Sequence, residues 1–441
     1  MERVRPSEGE PSEFRSWGEA ALAALDDHRA RSLRREGPVV RPQAARDLLT
    51  ALDAERWIRE GGMDAAAFAQ WLPRYLGATT RLHHPACMGH QVAVPLAPAV
   101  IADLINGLTN NGTAIREMAP PGVALERLLV RWMAEKLGWG VAAASADGAL
   151  VSGGSIANLT ALLAARAAAV PEAWDQGAPG DLAVLAPASA HYSVARALGI
   201  LGMGANALIP VAVDAHLRMR AEDLPAALAR ARAAGRRPFA LVASAVSTAT
   251  GLHDPLQAAG EFCRAEGLWF HVDGAHGASA LLAPELRARL RGLEMADSVI
   301  WDAHKMLHTS SLCAAVLVRR PGALENAFRA EASYLGDAAA HSAPEDTDPW
   351  TRTIECTRPV FALKLFLNLA ARGEQGLGAL VSQLYARTRR FHQILSGRPG
   401  FQCLAEPESN ILCFRFGGEA EDQAALRRRV LAGGAAYLTQ A

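Results

Sequence analysis

The stretch "VIWDAHKML", residues 299–307, decides how the rest of the chain is read. Val299, Ile300 and Trp301 have the character of a buried strand, and the run leads straight into Asp302, His304 and Lys305. Lysine is rarely fully buried without a partner. Either Lys305 snorkels to the surface at the strand end, or its amine is held there as a nucleophile toward a carbonyl group. The nine residues alone leave both readings open.

The surroundings are those of an α/β protein. From about residue 121 helical segments alternate with short apolar runs, among them "ALIPVAV", "FALVASAVS", "LWFHVDGAHGA", "SVIWDAHKM" and "AAVLVRR". Strands this apolar, without strict alternation, suit a largely parallel sheet covered on both faces. Upstream, "WGEAALAALDDHRARSL", "RPQAARDLLTALDAERW" and "DAAAFAQWLPRYL" have helical periodicity, after about fifteen residues that read as disordered. The expected organisation is a helical segment over 1–75, a large domain over 76–355, and a small domain over 356–441 that starts with helices and returns to a strand in "SNILCFRF".

Composition bounds the function. At 441 residues, half of them hydrophobic, the chain has material for two or three structural units. Forty-five basic residues balance forty-five acidic ones, which gives no general pull toward nucleic acid or anionic lipid. The charged N-terminus does not resemble a signal peptide, and no uncharged apolar stretch of about 18 residues suggests a membrane span. The six cysteines form no CxxC pair and the thirteen histidines no HExxH, so no metal site is expected and the thiols are expected reduced, in a cytoplasmic protein.

In open α/β sheets, ligands gather beyond the carboxyl ends of the strands. Four such loops carry suitable residues. Ser152, Gly153, Gly154 and Ser155 precede a helix expected to start near Ala157, where backbone N–H groups and the helix dipole favour a phosphate, although Ser155 could simply cap the helix. His191, in "SAHYSVAR", offers a flat ring for stacking or a helix cap. Asp273, in "HVDGAHGAS", is a carboxylate that, when partly buried, wants a positive partner. The fourth loop holds Lys305. Pyridoxal phosphate asks for all four: donors for its phosphate, a stacking face, a carboxylate that keeps its ring nitrogen protonated, and an amine for its aldehyde.

From about residue 75 to 416 the chain resembles the group II pyridoxal-phosphate-dependent amino-acid decarboxylases, which include glutamate, aromatic amino acid and diaminobutyrate decarboxylases. The resemblance rests on "HPACMGHQ", "SGGSIANLTALLAAR", "AHYSVARA", "STATGLHDPL", "HVDGAHGAS", "DAHKM" and "IECTRPVFALKLF". It implies the fold type I architecture of pyridoxal-phosphate enzymes, with a mostly parallel seven-stranded sheet between helices and a small C-terminal α+β domain. It further implies Lys305 as the Schiff-base lysine, Asp273 on the pyridine nitrogen, His191 on the ring, and Gly154 and Ser155 on the phosphate. Thr248 then lies beside the cofactor, and Asp302 and His304 neighbour the phosphate and the lysine. A homodimer with the active site at its interface follows from the same resemblance, with the 1–75 segment lying on the partner.

Three departures stand out. The family often carries a tyrosine in a mobile loop before the "IQCTRR"-like motif; here "AHSAPEDTDPWTRT" has none and Tyr334 lies upstream, which leaves the proton donor open. Pro359 replaces the usual second arginine, leaving Arg358 as the matching cation, and the small domain is shorter than is usual in the family. In relatives the positions of His90 and Gln91 face the substrate side chain. Arg116, in "AIREMAP", falls in a segment that can reach the partner's site, or serves the surface. The expected reaction is loss of the α-carboxylate from a small polar or charged L-amino acid, to give the amine. The alternatives are another reaction on the same fold, such as aldehyde-forming oxidative deamination, aldol-type cleavage or transamination, and a non-catalytic homologue.

Overall fold

The structure, a computed structural model, describes residues 12–140, 146–329, 348–418 and 422–440. The chain divides into two compact units, Met1–Val92 with Gly418–Ala441, and Ala93–Gly417. These limits differ from the expected 1–75, 76–355 and 356–441.

The first unit holds α1 (Glu13–Leu33), α2 (Ala45–Ala51), α3 (Ala54–Glu60) and α4 (Ala65–Ala78). Asp64 caps α4 by accepting the Ala67 N–H at 2.7 Å, and Trp17 of α1 stacks on Phe68 of α4 at 4.6 Å. The C-terminal residues join this unit through paired backbone bonds, Met88 N–H to the Tyr437 carbonyl at 2.9 Å and Tyr437 N–H to the Ala86 carbonyl at 3.0 Å.

The second unit is built on a seven-stranded sheet. Its strands are β1 (Asp147–Val151), β2 (Leu182–Pro187), β3 (Leu208–Val211), β4 (Arg237–Ser244), β5 (Trp269–Asp273), β6 (Ser298–Asp302) and β7 (Ala314–Val318). They lie in the order β1-β7-β6-β5-β4-β2-β3. All neighbours are parallel except β7, which runs antiparallel to both β1 and β6. The residues between β6 and β7 are too few for a crossover helix, which a parallel pair would need, so the chain doubles back. Two reversals leave β1 pointing the same way as β6. The carboxyl ends of β1, β2, β4, β5 and β6 therefore share one edge.

Helices cover both faces: α5 (Ala97–Thr109), α6 (Pro120–Lys136), α7 (Gly154–Ala169), α8 (Ala173–Gln176), α9 (Tyr192–Ile200), α10 (Leu224–Ala233), α11 (Leu256–Glu266), α12 (Ala323–Ala327) and α13 (Phe361–Ser396). A two-stranded antiparallel pair, β8 (Phe401–Cys403) and β9 (Phe414–Phe416), follows α13, and α14 (Gln423–Ala432) belongs to the first unit. The physical reason for the shifted boundary is α13: Phe361, Leu365, Leu377, Val381 and Tyr385 are buried in the core that Trp301 and Phe270 share. A helix with that much apolar surface in the large core cannot open a separate domain.

The two-residue strand period sorts side chains to the two faces. On β6, Val299 and Trp301 enter the core under α6 and α13, while Ile300 enters the one under α7. Trp301 is fully buried, stacks on Trp132 at 5.9 Å and donates to Ser279 Oγ at 2.8 Å. Truncating such a residue costs about 3–5 kcal/mol. This anchor on one face fixes Asp302 on the other, beneath the start of α7.

Candidate active site

Strand register assembles the site. Val151 of β1 and Asp302 of β6 both pair with Ala314 of β7, so the loop after β1 meets the end of β6. The approach is close enough to exclude a side chain at Gly154, where a Cβ would lie 2.9 Å from Asp302 Oδ2. Gly153 before it has φ 142°, a conformation that favours glycine. The helix α7 begins at Gly154 rather than near Ala157, with Gly153 as its N-cap and no side-chain cap, so Ser155 does not play that part. Exposed N–H groups of this first turn remain available to an anion.

Lys305 Nζ lies 3.3 Å from Asp302 Oδ2, and its side chain keeps 18% of its exposure, so the amine is paired yet reachable. Burial pushes the Asp302 carboxyl up from the usual carboxylate range, against the pull of Lys305 and His304. The other oxygen, Asp302 Oδ1, is buried with no hydrogen-bond partner in the structure. His304 sits 3.6 Å from Asp302 through Nε2 and is held at Nδ1 by Cys313, whose carbonyl lies at 2.8 Å.

Asp273 ends the neighbouring strand. Its Oδ2 accepts from Asn158 Nδ2 at 2.9 Å and its Oδ1 from the Ala275 N–H at 3.2 Å, both neutral donors. The Asp273 and Lys305 loops are tied together by the Asp302 N–H, which donates to the Ala275 carbonyl at 3.0 Å. His191 is the N-cap of α9, and its Nδ1 contacts Ser193 Oγ at 2.7 Å. Burial lowers its pKa, with Asp273 opposing. Its ring is half-buried, so it serves as a cap while its other edge stays accessible.

The residues present suit pyridoxal phosphate. A buried carboxylate with only neutral partners (Asp273), a helix N-terminus stripped of side chain (Gly154) and a reachable amine (Lys305) stand at adjoining strand ends. A profile described as the pyridoxal-dependent decarboxylase conserved domain matches residues 77–417. The chain belongs to the pyridoxal-dependent decarboxylases. Cysteine sulfinic acid decarboxylase of Mus musculus is 34% identical over 347 residues, which cover 76% of this chain and 69% of that protein. The acidic amino acid decarboxylase of the same organism is 31% identical over 342 residues, covering 77% of this chain and 61% of the relative. Among solved structures, mouse CSAD superimposes with a TM-score of 0.88 at 28% identity, over 97% of this chain and 91% of that one. Family and fold together identify a pyridoxal-phosphate-dependent amino-acid decarboxylase.

Thr248 is exposed, in the loop after β4; that loop meets the Asp273 loop, since Ala245 N–H donates to the Asp273 carbonyl at 2.8 Å. Arg116 is exposed in a 3-10 turn (Arg116–Met118) whose first N–H donates to Asp348 Oδ1 at 2.7 Å. His90 and Gln91 belong to the first unit, where the His90 ring lies 5.5 Å from Tyr437. Tyr334 and most of the loop before the "IECTRP" motif lie outside the described residues.

Arg358, the cation that matches the family motif and a substrate candidate on that ground, has a fully buried side chain, 3.2 Å from Glu126 and bonded to the Leu150 carbonyl. Glu126 also accepts the Leu150 N–H at 3.0 Å. The charge is already neutralised inside the protein and tethers β1 to the segment before α13.

Two signals in the sequence went unread. The chain has three lysines, Lys136, Lys305 and Lys364, among 45 basic residues. Lys136 pairs with Glu374, and Lys364 is 4% exposed and paired with Asp103 at 2.7 Å. Arginine stands in nearly every other basic position, but it cannot supply the neutral amine that imine chemistry needs. The second signal is Asn158 and His271, polar residues inside apolar runs: His271 is two positions from Asp273 and so on the same face of β5.

Proposed function

We propose that this decarboxylase acts on a small acidic L-amino acid, as a cytoplasmic homodimer. The observation that carries the substrate class is its similarity to two relatives, one named for cysteine sulfinic acid and one for acidic amino acids. The structural unit itself supplies the means for the reaction. Lys305 must lose a proton to act as a nucleophile, and Asp302 Oδ2, 3.3 Å away with its carboxyl pushed up, is placed to take it. With pyridoxal phosphate bound, Asp273 would be the residue to hold a proton on the ring nitrogen, because a neighbouring carboxylate favours the charged form. The bound cofactor supplies the electron sink for the pair released when the Cα–carboxylate bond breaks. Gly154 and the first turn of α7 would hold its phosphate, and His191 would lie against its ring.

A second copy of the chain has a surface to meet. Val100, Ile101, Leu104, Ile105 and Leu108 form one face of α5 and are 40–63% exposed, a contiguous apolar stripe of the kind that marks an interface. The cytoplasmic reading rests on six free cysteines. Among the described residues no helix is long and apolar enough to cross a membrane.

The deciding experiment measures carbon dioxide release from cysteine sulfinate, aspartate, glutamate and 2,4-diaminobutyrate, with mass spectrometry of the products. Turnover of the acidic compounds to their amines is expected. Preferential turnover of the diamine overturns the substrate class, and an aldehyde product overturns the reaction.

A further inference from the structure

Behind Asp273 and His191 runs a buried hydrogen-bonded chain whose proton directions can be read from chemistry alone. The carboxylate of Asp273 only accepts, so Asn158 must turn its amide nitrogen toward it, at 2.9 Å. The Asn158 Oδ1 then faces His271 Nε2 at 2.9 Å, and that nitrogen must carry a hydrogen. Burial lowers the pKa of His271 to about 4, so the ring is neutral and its Nδ1 is bare. Ser298 Oγ, 2.8 Å from Nδ1, donates its hydrogen there and accepts the indole N–H of Trp269 at 2.8 Å. Asn158, His271 and Ser298 are each no more than 1% exposed.

The second amide hydrogen of Asn158 points to Ser193 Oγ at 2.9 Å. That hydroxyl is 2.7 Å from His191 Nδ1, and the Ser193 backbone N–H, which can only donate, points at the same nitrogen from 3.4 Å. Nδ1 of His191 is therefore an acceptor, and its ring hydrogen sits on Nε2.

We propose that Asn158 is a positioning residue of the decarboxylase, whose one amide group orients the Asp273 carboxylate and, through Ser193, holds His191 in the Nε2–H form. His271, Ser298 and Trp269 fix the direction of that amide from behind. The arrangement couples the group that faces the cofactor nitrogen to the group that faces its ring. The groups acting on His191 are Asp273, Asp302, Lys305 and Arg196, and none of them sets a tautomer; a directed donor at Nδ1 does. A helix otherwise rich in Ala and Leu gives up a packing position to Asn158, a polar side chain that costs stability when buried unless its bonds are made.

The inference rests on the reading of His191 and Asp273 as cofactor contacts, and its first test does not need the cofactor. In full-length protein carrying 15N-labelled histidine, the His191 signals, assigned by their loss in His191→Gln, should show a bare Nδ1 and a protonated Nε2 at neutral pH. A proton on Nδ1 in the wild type overturns the proposal. Asn158→Leu should add an Nδ1–H population to His191, the long Ser193 backbone bond at 3.4 Å being the one donor left directed at Nδ1, and weaken pyridoxal phosphate binding roughly tenfold to a hundredfold. Ser193→Ala should add the same population by removing the shorter hydroxyl bond, while leaving cofactor affinity within about threefold, since the Asp273 bond survives. It carries the test if Asn158→Leu fails to fold. Wild-type His191 signals in a folded variant of either kind overturn the coupling. Wild-type protein that binds no pyridoxal phosphate but shows the expected tautomer overturns the cofactor reading instead.

Discussion

Two carboxylate–cation pairs sit in the same structural unit, and only one of them leaves its cation within reach of solvent. Asp302 with Lys305 and Glu126 with Arg358 are separated by 3.3 and 3.2 Å. Each pair leaves a polar atom without a partner among the described residues, Asp302 Oδ1 in one and Arg358 Nε in the other. What separates them is access and the kind of cation. The Lys305 side chain is 18% exposed and the Arg358 side chain 0%. A guanidinium stays charged at any ordinary pH, whereas an ammonium can give up its proton. A charge pair closed on both sides is a tie between segments, and one left open on the cation side is a reactive group held in waiting.

That contrast can be broken by exchanging the consequences. Lys305→Ala should lower kcat/KM by roughly 10⁴-fold or more with a smaller loss of stability, because Asp302, whose carboxyl burial already pushes up, can take up a proton once its cation is gone. Borohydride reduction of the loaded wild type should fix cofactor to Lys305 by mass spectrometry; fixation at Lys136 or Lys364 would sink the assignment. Arg358→Leu should do the reverse. Leaving Glu126 buried and unpaired costs about 3–5 kcal/mol in stability by denaturant unfolding, with the folded fraction still holding cofactor. A stable Arg358→Leu protein with a raised KM would return Arg358 to the substrate.

Asp273→Asn sharpens the comparison from the neighbouring strand. The amide fits the same space but no longer favours a protonated nitrogen, so carbon dioxide release should fall roughly a hundredfold or more with cofactor retained. Wild-type turnover would contradict the role. The smallest effect is expected at Arg116, a cation on the surface. Arg116→Gln should raise the KM for an acidic substrate by roughly tenfold, the lower end of what a charge-assisted bond is worth, and leave a diamine substrate unaffected. No change for either substrate makes the arginine structural.

The sheet was legible because its strands are apolar runs, and Asp273 and Asp302 stand out at the ends of β5 and β6 as charged groups that burial disfavours. The burial of Arg358 was not legible because its partner, Glu126, lies 232 residues away and no local pattern announces it. The same blindness hid Asn158, whose role exists only where α7 crosses β5. The core that α13 joins was not legible either, since an amphipathic helix does not declare where its apolar face will pack.

The scarcity of lysine has a consequence for the protein's exposure to reactive metabolites. Aldehydes in a cell condense with whatever amines they meet, and a surface studded with lysine would hold cofactor or sugar adducts at many places. Here all three side-chain amines sit beside carboxylates, Lys136 with Glu374, Lys305 with Asp302 and Lys364 with Asp103. An aldehyde that reaches this protein meets few side-chain amines, and the one at the end of β6 lies beside a carboxyl that burial pushes up, a partner able to take the amine's proton.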